Sequence, residues 1–457
     1  MTPLRVLLVT YSFPPVGGVG VLRAASLARY LPSEELRLDV LTTRNASAVG
    51  TDSKLLQDIP STVTIHRTTT LDLPFALKKW IKKLIGGEKP APTQAPATIA
   101  TTSKPGLLKK SIQDILLPDP QITWLPVLKR AARRIVKTQG IDLVLITVPP
   151  FSCVLLVAHL RKQFPHLPIV VDFRDEWLST TIDLVSFSRS DRAIQVARET
   201  EASAVANATA IVAVTEGARR ETRNRYPKEP DSKFHLIPNG FDSKAVRASA
   251  PRVESGLQDR IVATYIGSIY GSTEPTTLVQ AMQSLPPEVR SRFKLRFIGR
   301  IEEPRFRDAL LKLEDMVELK GFLPRHEALA AMNEADYALL ITHDPLNVSA
   351  KFYDYIGACK PILATVHPAG EVRRLLEELR AGWWADSRNV ESIRRLFLDA
   401  AARGKSLSTE FQPNQDKIAQ YERKVLAQRY ASLLHSIARQ QPEADSHVPV
   451  SDVGGRG

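Results

Sequence analysis

Only two cysteines occur in the 457 residues, Cys153 and Cys359, one in each half and neither with a neighbour at metal-ligand spacing. That excludes a disulfide scaffold and a cysteine-based metal site, and the expectation is two buried thiols in a reducing cytosol. No apolar run approaches the ~20 residues that a bilayer-spanning helix requires, so a chain that does not cross a membrane is expected. The first run, Leu4 to Tyr11, is too short for a signal segment with a cleavage site and leads directly into a Pro/Gly turn. It reads as a first core strand. Aromatic residues make up 7% of the chain, and the most basic stretch carries a single one, Trp80. Bases would find little to stack on there, which argues against nucleic acid as a partner.

Acids are missing where bases gather. Between Ala76 and Lys110 stand eight lysines and one acid, Glu88, so this stretch alone carries +7 of a formal +13. A local patch of this kind points to an anionic surface. Within it Leu77, Trp80, Ile81, Leu84 and Ile85 fall at helical spacing with Lys78, Lys79, Lys82 and Lys83 between them, a short basic amphipathic helix. It suits either a helix packed on its own domain or one lying at the headgroup boundary of an anionic membrane. Lys89 to Gly106, rich in Pro, Ala and Thr, reads as a flexible loop.

What is present is an alternation of apolar runs and helical patterns. The length suggests two large domains or three small ones. Strands read at Arg5–Thr10, Leu36–Leu41, Thr62–His66, Ile141–Thr147, Pro168–Val171, Ala210–Val214 and from Lys233 in the first half. In the second they read at Ile261–Ile266, Lys294–Ile298, Val317–Phe322, Tyr337–Thr342 and Pro361–Val366. The fold class is therefore α/β. An N-terminal domain at 1–243 with an insert at 71–120, a C-terminal domain at 244–414, a helix at 415–439 and a disordered tail at 440–457 follow from the pattern.

Charged and glycine-rich turns stand at the ends of several strands, where open α/β sheets bind ligands. Phe13-Pro-Pro-Val-Gly17-Gly18 follows the first strand, and Gly267-Ser-Ile-Tyr270-Gly opens the second half. Gly18-Val-Gly20-Val-Leu-Arg23 departs from the nicotinamide fingerprint G-x-G-x-x-G, and the second strand ends in Thr42-Thr43-Arg44 without a ribose-binding acid. Arg44 would favour a phosphorylated dinucleotide, which keeps an NAD(P)-dependent oxidoreductase as an alternative. Asp172-Phe-Arg174-Asp175-Glu176 gathers four charges in five residues, a substrate-facing cluster or an ion-pair network. Arg300 ends a strand where it can reach an anion.

Lys351-Phe-Tyr-Asp354-Tyr is the point on which these elements converge. It opens a short helix after the strand Tyr337–His343 and the polar loop 344–350. A helix start offers free N–H groups and a positive dipole end to a phosphate, and Lys351 adds a full charge. The competing reading is a solvated helix start with a structural ion pair.

Taken together, Phe13 to Gly18, Val148-Pro-Pro150, Asp172 to Asp175, Pro238-Asn-Gly-Phe-Asp242, Gly267-Ser268 and Lys351 to Tyr355 resemble the family-4-like retaining glycosyltransferases of the GT-B fold. The resemblance runs in order over about residues 4–430. It implies two facing Rossmann-like domains and a C-terminal crossover helix. It also implies a nucleoside-diphosphate sugar as donor substrate, with no metal or other cofactor required, and a lipid-linked or polysaccharide acceptor. By analogy Gly17 and Gly18 approach the diphosphate, with Gly267, Tyr270 and Arg300 on the facing side. The 346–350 amides, Asn347 and Ser349 among them, hold phosphate or sugar with Lys351, and Asp354 holds the ribose. Arg174, Asp175 and Lys351 are the implied catalytic groups. The place implied is the cytoplasm, in peripheral contact with the inner membrane face through 76–110. Two departures stand out: Leu346 replaces the first of the family's paired glutamates, and Tyr270 to Glu274 lacks the usual arginine and lysine. A non-catalytic sugar-nucleotide-binding protein of the same fold is therefore a further alternative.

Overall fold

Runs of apolar residues too short for helices, closed by Gly/Pro turns, fold here as parallel strands covered on both faces. The computed structural model describes residues 2–44, 46, 51–70, 116–181, 190–247, 260–405 and 410–440. The helix expected at 77–85, the loop 89–106 and the tail 441–457 lie outside the described residues.

In the first half, β1 (Leu4–Val9), β2 (Leu36–Thr43), β3 (Thr64–Thr68), β4 (Leu143–Val148), β5 (Ile169–Phe173), β6 (Ala210–Ala213) and β7 (Phe234–Leu236) form one parallel sheet. Its order is β3-β2-β1-β4-β5-β6-β7. Helix α1 (Leu22–Tyr30) covers one face; α2 (Leu125–Gln139), α3 (Leu155–Gln163) and α4 (Asp191–Asn207) cover the other. In the second half, β8 (Ile261–Ile266), β9 (Phe293–Ile298), β10 (Val317–Gly321), β11 (Tyr337–Thr342), β12 (Ile362–Val366) and β13 (Gly382–Asp386) pair in the order β10-β9-β8-β11-β12-β13. The strand Gly382–Asp386 is an addition to the sequence reading. As an edge strand it keeps its two tryptophans half-exposed, so it carries no continuous apolar signal.

In each sheet the winding reverses between two central strands, β1 and β4 in the first and β8 and β11 in the second. The loops after these four strands are therefore the ones that meet a ligand. Strands β4 and β11 are buried along their whole length, which fixes those loops on rigid supports.

The expected crossover helix at 415–439 is two helices, α5 (Gln415–Ala419) and α6 (Arg423–Arg439). Between them the backbone extends to pair with Phe241, whose N–H donates to Tyr421 O (3.1 Å) and whose carbonyl accepts from Arg423 N–H (2.9 Å). Leu426, Ala427, Tyr430, Leu434 and Ile437 of α6 then join Ala24, Leu27 and Ala28 of α1 in the first domain's core. Cys153 is buried as expected, but Cys359 is exposed. It sits just past the helix 350–357 at φ 52, a turn position that turns its side chain out of the core.

Candidate active site between the two sheets

The loop after β11 bridges the two halves. Asp344 accepts from the N–H groups of Leu346 (2.8 Å) and Asn347 (3.0 Å) and from Asn347 Nδ2 (2.9 Å), folding 344–347 into a tight turn. This turn reaches the N-terminal half. Thr215 Oγ1 donates to Leu346 O (2.7 Å), Glu176 N–H to Asn347 Oδ1 (3.1 Å), and Gly217 N–H to Glu371 Oε1 (2.9 Å). A Cβ at Gly217 would stand 3.0 Å from Leu346 Cδ2, so the leucine packs on the opposite domain where the family pattern has a carboxylate. Asn347 is thus spent on a domain contact.

After the turn comes the helix Ala350–Gly357. Ser349 precedes it in extended backbone and makes no side-chain cap; its carbonyl accepts from Phe352 N–H (3.1 Å), while the N–H groups of Ala350 and Lys351 have no partner among the described residues. Lys351 lies back across the turn after β8. Its Nζ is 2.5 Å from Tyr265 Oη and 3.9 Å from that ring's centroid, and it has no ion-pair partner among the described residues. Burial pushes its ammonium down to about 7. A cation partly withdrawn from water without a counter-charge is costly, and an anion beside it would relieve that cost.

Gly267 makes this placement possible. At φ +129 it has a backbone that side chains disfavour, and a Cβ there would stand 2.9 Å from Lys351 Cε and Nζ. Gly267→Ala is expected to cost about 1–3 kcal/mol of stability through strain at that φ. It should also displace Lys351 and weaken donor binding, read by urea unfolding and by titration with a sugar nucleotide.

The Asp172 to Glu176 cluster divides. Asp172, wholly buried, takes Arg23 in two bonds (2.9 Å each), Thr147 Oγ1 (2.8 Å) and Tyr430 Oη (2.7 Å). Glu176 binds Arg225 and accepts from Ser179 N–H (2.6 Å). Arg174 is a brace: its guanidinium donates to the carbonyls of Val148, Pro149 and Gly20, tying the two N-terminal switch-point loops together. Asp175 alone makes no hydrogen bond among the described residues. Burial raises its carboxyl, Arg174 opposes, and the charge of Asp344 adds to the rise. Tyr270 is raised by burial and then by Asp175 and Asp344, so these three groups converge.

Other expected site residues are placed differently. Asp354 is buried with both oxygens on Arg325 (2.7 and 2.8 Å), so in this state it offers a ribose nothing. Arg300 is exposed and stacks over the equally exposed Phe322, 5.3 Å from the ring centroid, at the rim of the C-terminal sheet. Gly17 and Gly18 stand in the turn after β1, with Gly18 exposed at φ 106. Tyr265 and Asp344 belong to the site although sequence reasoning did not single them out. Tyr265 reads as one more strand residue, and Asp344 as one more loop acid. Among the described residues no group of three or more His, Cys, Asp or Glu is arranged to hold a metal ion, and no helix is long and apolar enough to cross a membrane.

Comparison with known proteins agrees with this architecture. Residues 97–245 match the family description Glycosyltransferase Family 4. Over 133 residues the chain is 27% identical to a putative colanic acid biosynthesis glycosyltransferase, WcaL, of Salmonella typhimurium. That alignment covers 28% of this chain and 32% of the relative, so the match spans about a third of the relative's length. Among solved structures, Anabaena HepE in complex with UDP superposes with a TM-score of 0.61 at 13% identity, covering 95% of this chain and 100% of that one. Sucrose-phosphate synthase from Thermosynechococcus elongatus gives 0.62 at 14% identity, covering 95% and 99%. The resemblance to family-4-like chains of the GT-B fold therefore holds, and two Rossmann-like α/β domains are its architecture.

Proposed function

We propose that the chain is a glycosyltransferase, moving a sugar from a nucleoside-diphosphate donor to a lipid-linked or polysaccharide acceptor with retention of anomeric configuration. The observation that carries this reading is Lys351, a half-buried cation with no ion-pair partner among the described residues, at a helix start over the glycine turn of the C-terminal sheet. The C-terminal domain holds the donor and the N-terminal domain the acceptor. Lys351 and the first-turn amides of its helix, beside Ser349, take the diphosphate, whose charge grows as the glycosidic bond breaks. Fixed donors already aimed at that charge stabilise the transition state without reorganising.

Asp175 faces the transferred sugar from the N-terminal side. Its raised carboxyl, beside Asp344 and Tyr270, holds or accepts hydrogen bonds from sugar or acceptor hydroxyls. Displacement occurs on the face from which the diphosphate departs, which retains configuration. A place in cell-surface polysaccharide synthesis, at the cytoplasmic side of a membrane reached through the basic stretch 76–110, accords with the relative named for colanic acid biosynthesis.

Thermal unfolding against UDP-, GDP-, dTDP- and ADP-sugars, with NAD(P) as controls, tests the reading. At about a hundred times Kd one donor is expected to add roughly 2.7 kcal/mol, a visible rise in Tm. A rise with NAD(P) alone would overturn it in favour of an oxidoreductase. A rise with one sugar nucleotide but no turnover on any acceptor would favour the non-catalytic alternative.

A further inference from the structure

Several arginines on the helices of this protein are paired with acids of their own helix. Arg373 meets Glu377, Arg374 meets Glu371 and Glu378, and Arg394 and Arg395 both meet Glu391. Helix α2 is built otherwise. Lys129, Arg130, Arg133, Arg134 and Lys137 stand on its outer side, the helix contains no acid, and none of the five makes an ion pair among the described residues. The elements packed against α2 add no carboxylate either. Strand β3 has none, the turn Pro120–Trp124 has none, and α3 contributes exposed Lys162 and half-buried His159, the latter lowered by burial and then by Lys129 and Arg133. Asp119 is turned inward onto Ser152, and Asp142 accepts from Arg5 N–H.

Residues 120–168 hold seven lysines and arginines against the single acid Asp142. Together with the stretch 76–110 they account for the whole formal excess of +13. The end of β3 lies beside the start of α2. Trp124 Nε1 donates to Thr68 Oγ1 (2.8 Å), so the chain leaves β3 and returns beside the start of α2. At that end Pro126 and Val127 are exposed, Val127 by 37%. Asp119 Oδ1, 2.7 Å from Ser152 Oγ, fastens the same end to the loop after β4, one of the two switch-point loops of the N-terminal sheet.

We propose that the outer face of α2, with Lys162, docks on the anionic headgroup surface of a lipid bilayer. Unpaired cations along the helix gain from that surface potential, and apolar residues beside them gain from the headgroup boundary. A nucleic acid backbone would use the cations but not Pro126 and Val127, and the face exposes no aromatic ring for stacking because Trp124 is buried. Docked this way, the cleft-side end of α2 lies against the bilayer and the acceptor loops open next to it. The docking does not depend on the transferase reading, which supplies only its purpose.

The test uses the full chain in flotation with vesicles of phosphatidylglycerol and phosphatidylcholine in equal parts, with phosphatidylcholine alone and with double-stranded DNA in parallel. Three variants are compared: Arg130→Gln/Arg133→Gln/Arg134→Gln, a control Arg395→Gln, and Lys78→Gln/Lys79→Gln/Lys82→Gln/Lys83→Gln. Each cation lost near the surface should weaken partition about fivefold, so the α2 triple variant should lose on the order of a hundredfold on anionic vesicles while the control loses little. Partition should fall steeply with salt. The proposal is overturned if the wild type does not float with anionic vesicles or if the triple variant floats as the wild type does. It is equally overturned if the triple variant loses DNA binding but keeps vesicle binding. A sugar-nucleotide shift that is absent in all variants while vesicle binding behaves as expected would sink the transferase reading alone.

Discussion

Lys351→Ala is expected to lower kcat/KM for the donor by about two to three orders of magnitude, the ~3–4 kcal/mol that one fixed donor to a developing anion supplies. The same position carries a second expected result with the opposite sign. Because this ammonium lies against Tyr265 without a counter-charge among the described residues, Lys351→Met should raise the Tm of the chain while abolishing its response to any sugar nucleotide. A Lys351→Met chain less stable than the wild type would mean that the lysine is chiefly a structural partner of Tyr265, and the phosphate role would fall with it.

The pH dependence follows from the same burial. With the ammonium pushed down to about 7, the free enzyme loses its cation as pH rises through that value, so kcat/KM for the donor should fall on the alkaline side of about pH 7. Bound diphosphate favours the charged form, so the fall in kcat should come at higher pH. Stability runs the other way. Between about 7 and the ordinary lysine value of 10.5 the unfolded chain holds the proton and the folded one does not, so this residue's contribution to stability rises with pH across that window. Lys351→Met should flatten both profiles.

The strands of the first sheet were legible in sequence because central parallel strands are apolar along their whole length and end in Gly/Pro turns. Gly382–Asp386 was not, because an edge strand with half-exposed tryptophans has neither signal. The helix break at Tyr421–Glu422 depends on a backbone pairing with Phe241, some 180 residues earlier, and no local pattern encodes such a partner. At the site the sequence named Lys351 as a charge at a helix start and Asp175 as a charge just past a strand end, and the structure places both residues at those positions. It could not divide the Asp172 to Glu176 cluster, since four adjacent charges look alike until their partners are known. Arg23 arrives from α1 and Tyr430 from α6, and only their convergence on Asp172 turns that residue from a ligand candidate into an internal joint.

Asp172→Ala is accordingly expected to cost about 3–5 kcal/mol of stability, the typical consequence of leaving one member of a buried ion pair alone. Arg23, with its side chain 9% exposed, would keep the carbonyls of Ile237 and Pro238 and Tyr430 Oη, but lose the only carboxylate paired with it among the described residues. Since α1, β4, β5 and the crossover helix α6 all meet at this carboxylate, its loss should loosen α6 from the N-terminal domain along with the local packing. Urea unfolding would show a lower midpoint, and protease cleavage within 423–439 should accelerate. Asp175→Ala, three residues away, should behave in the opposite manner. Its carboxyl makes no hydrogen bond among the described residues and is raised by burial, so its removal should leave stability unchanged or slightly higher while transfer activity collapses. If the two variants lose stability alike, the cluster is one structural network and Asp175 has no claim on the substrate. If Asp175→Ala is stable, binds donor with the wild-type shift and does not turn over, the acceptor side of the chemistry is located at that carboxyl.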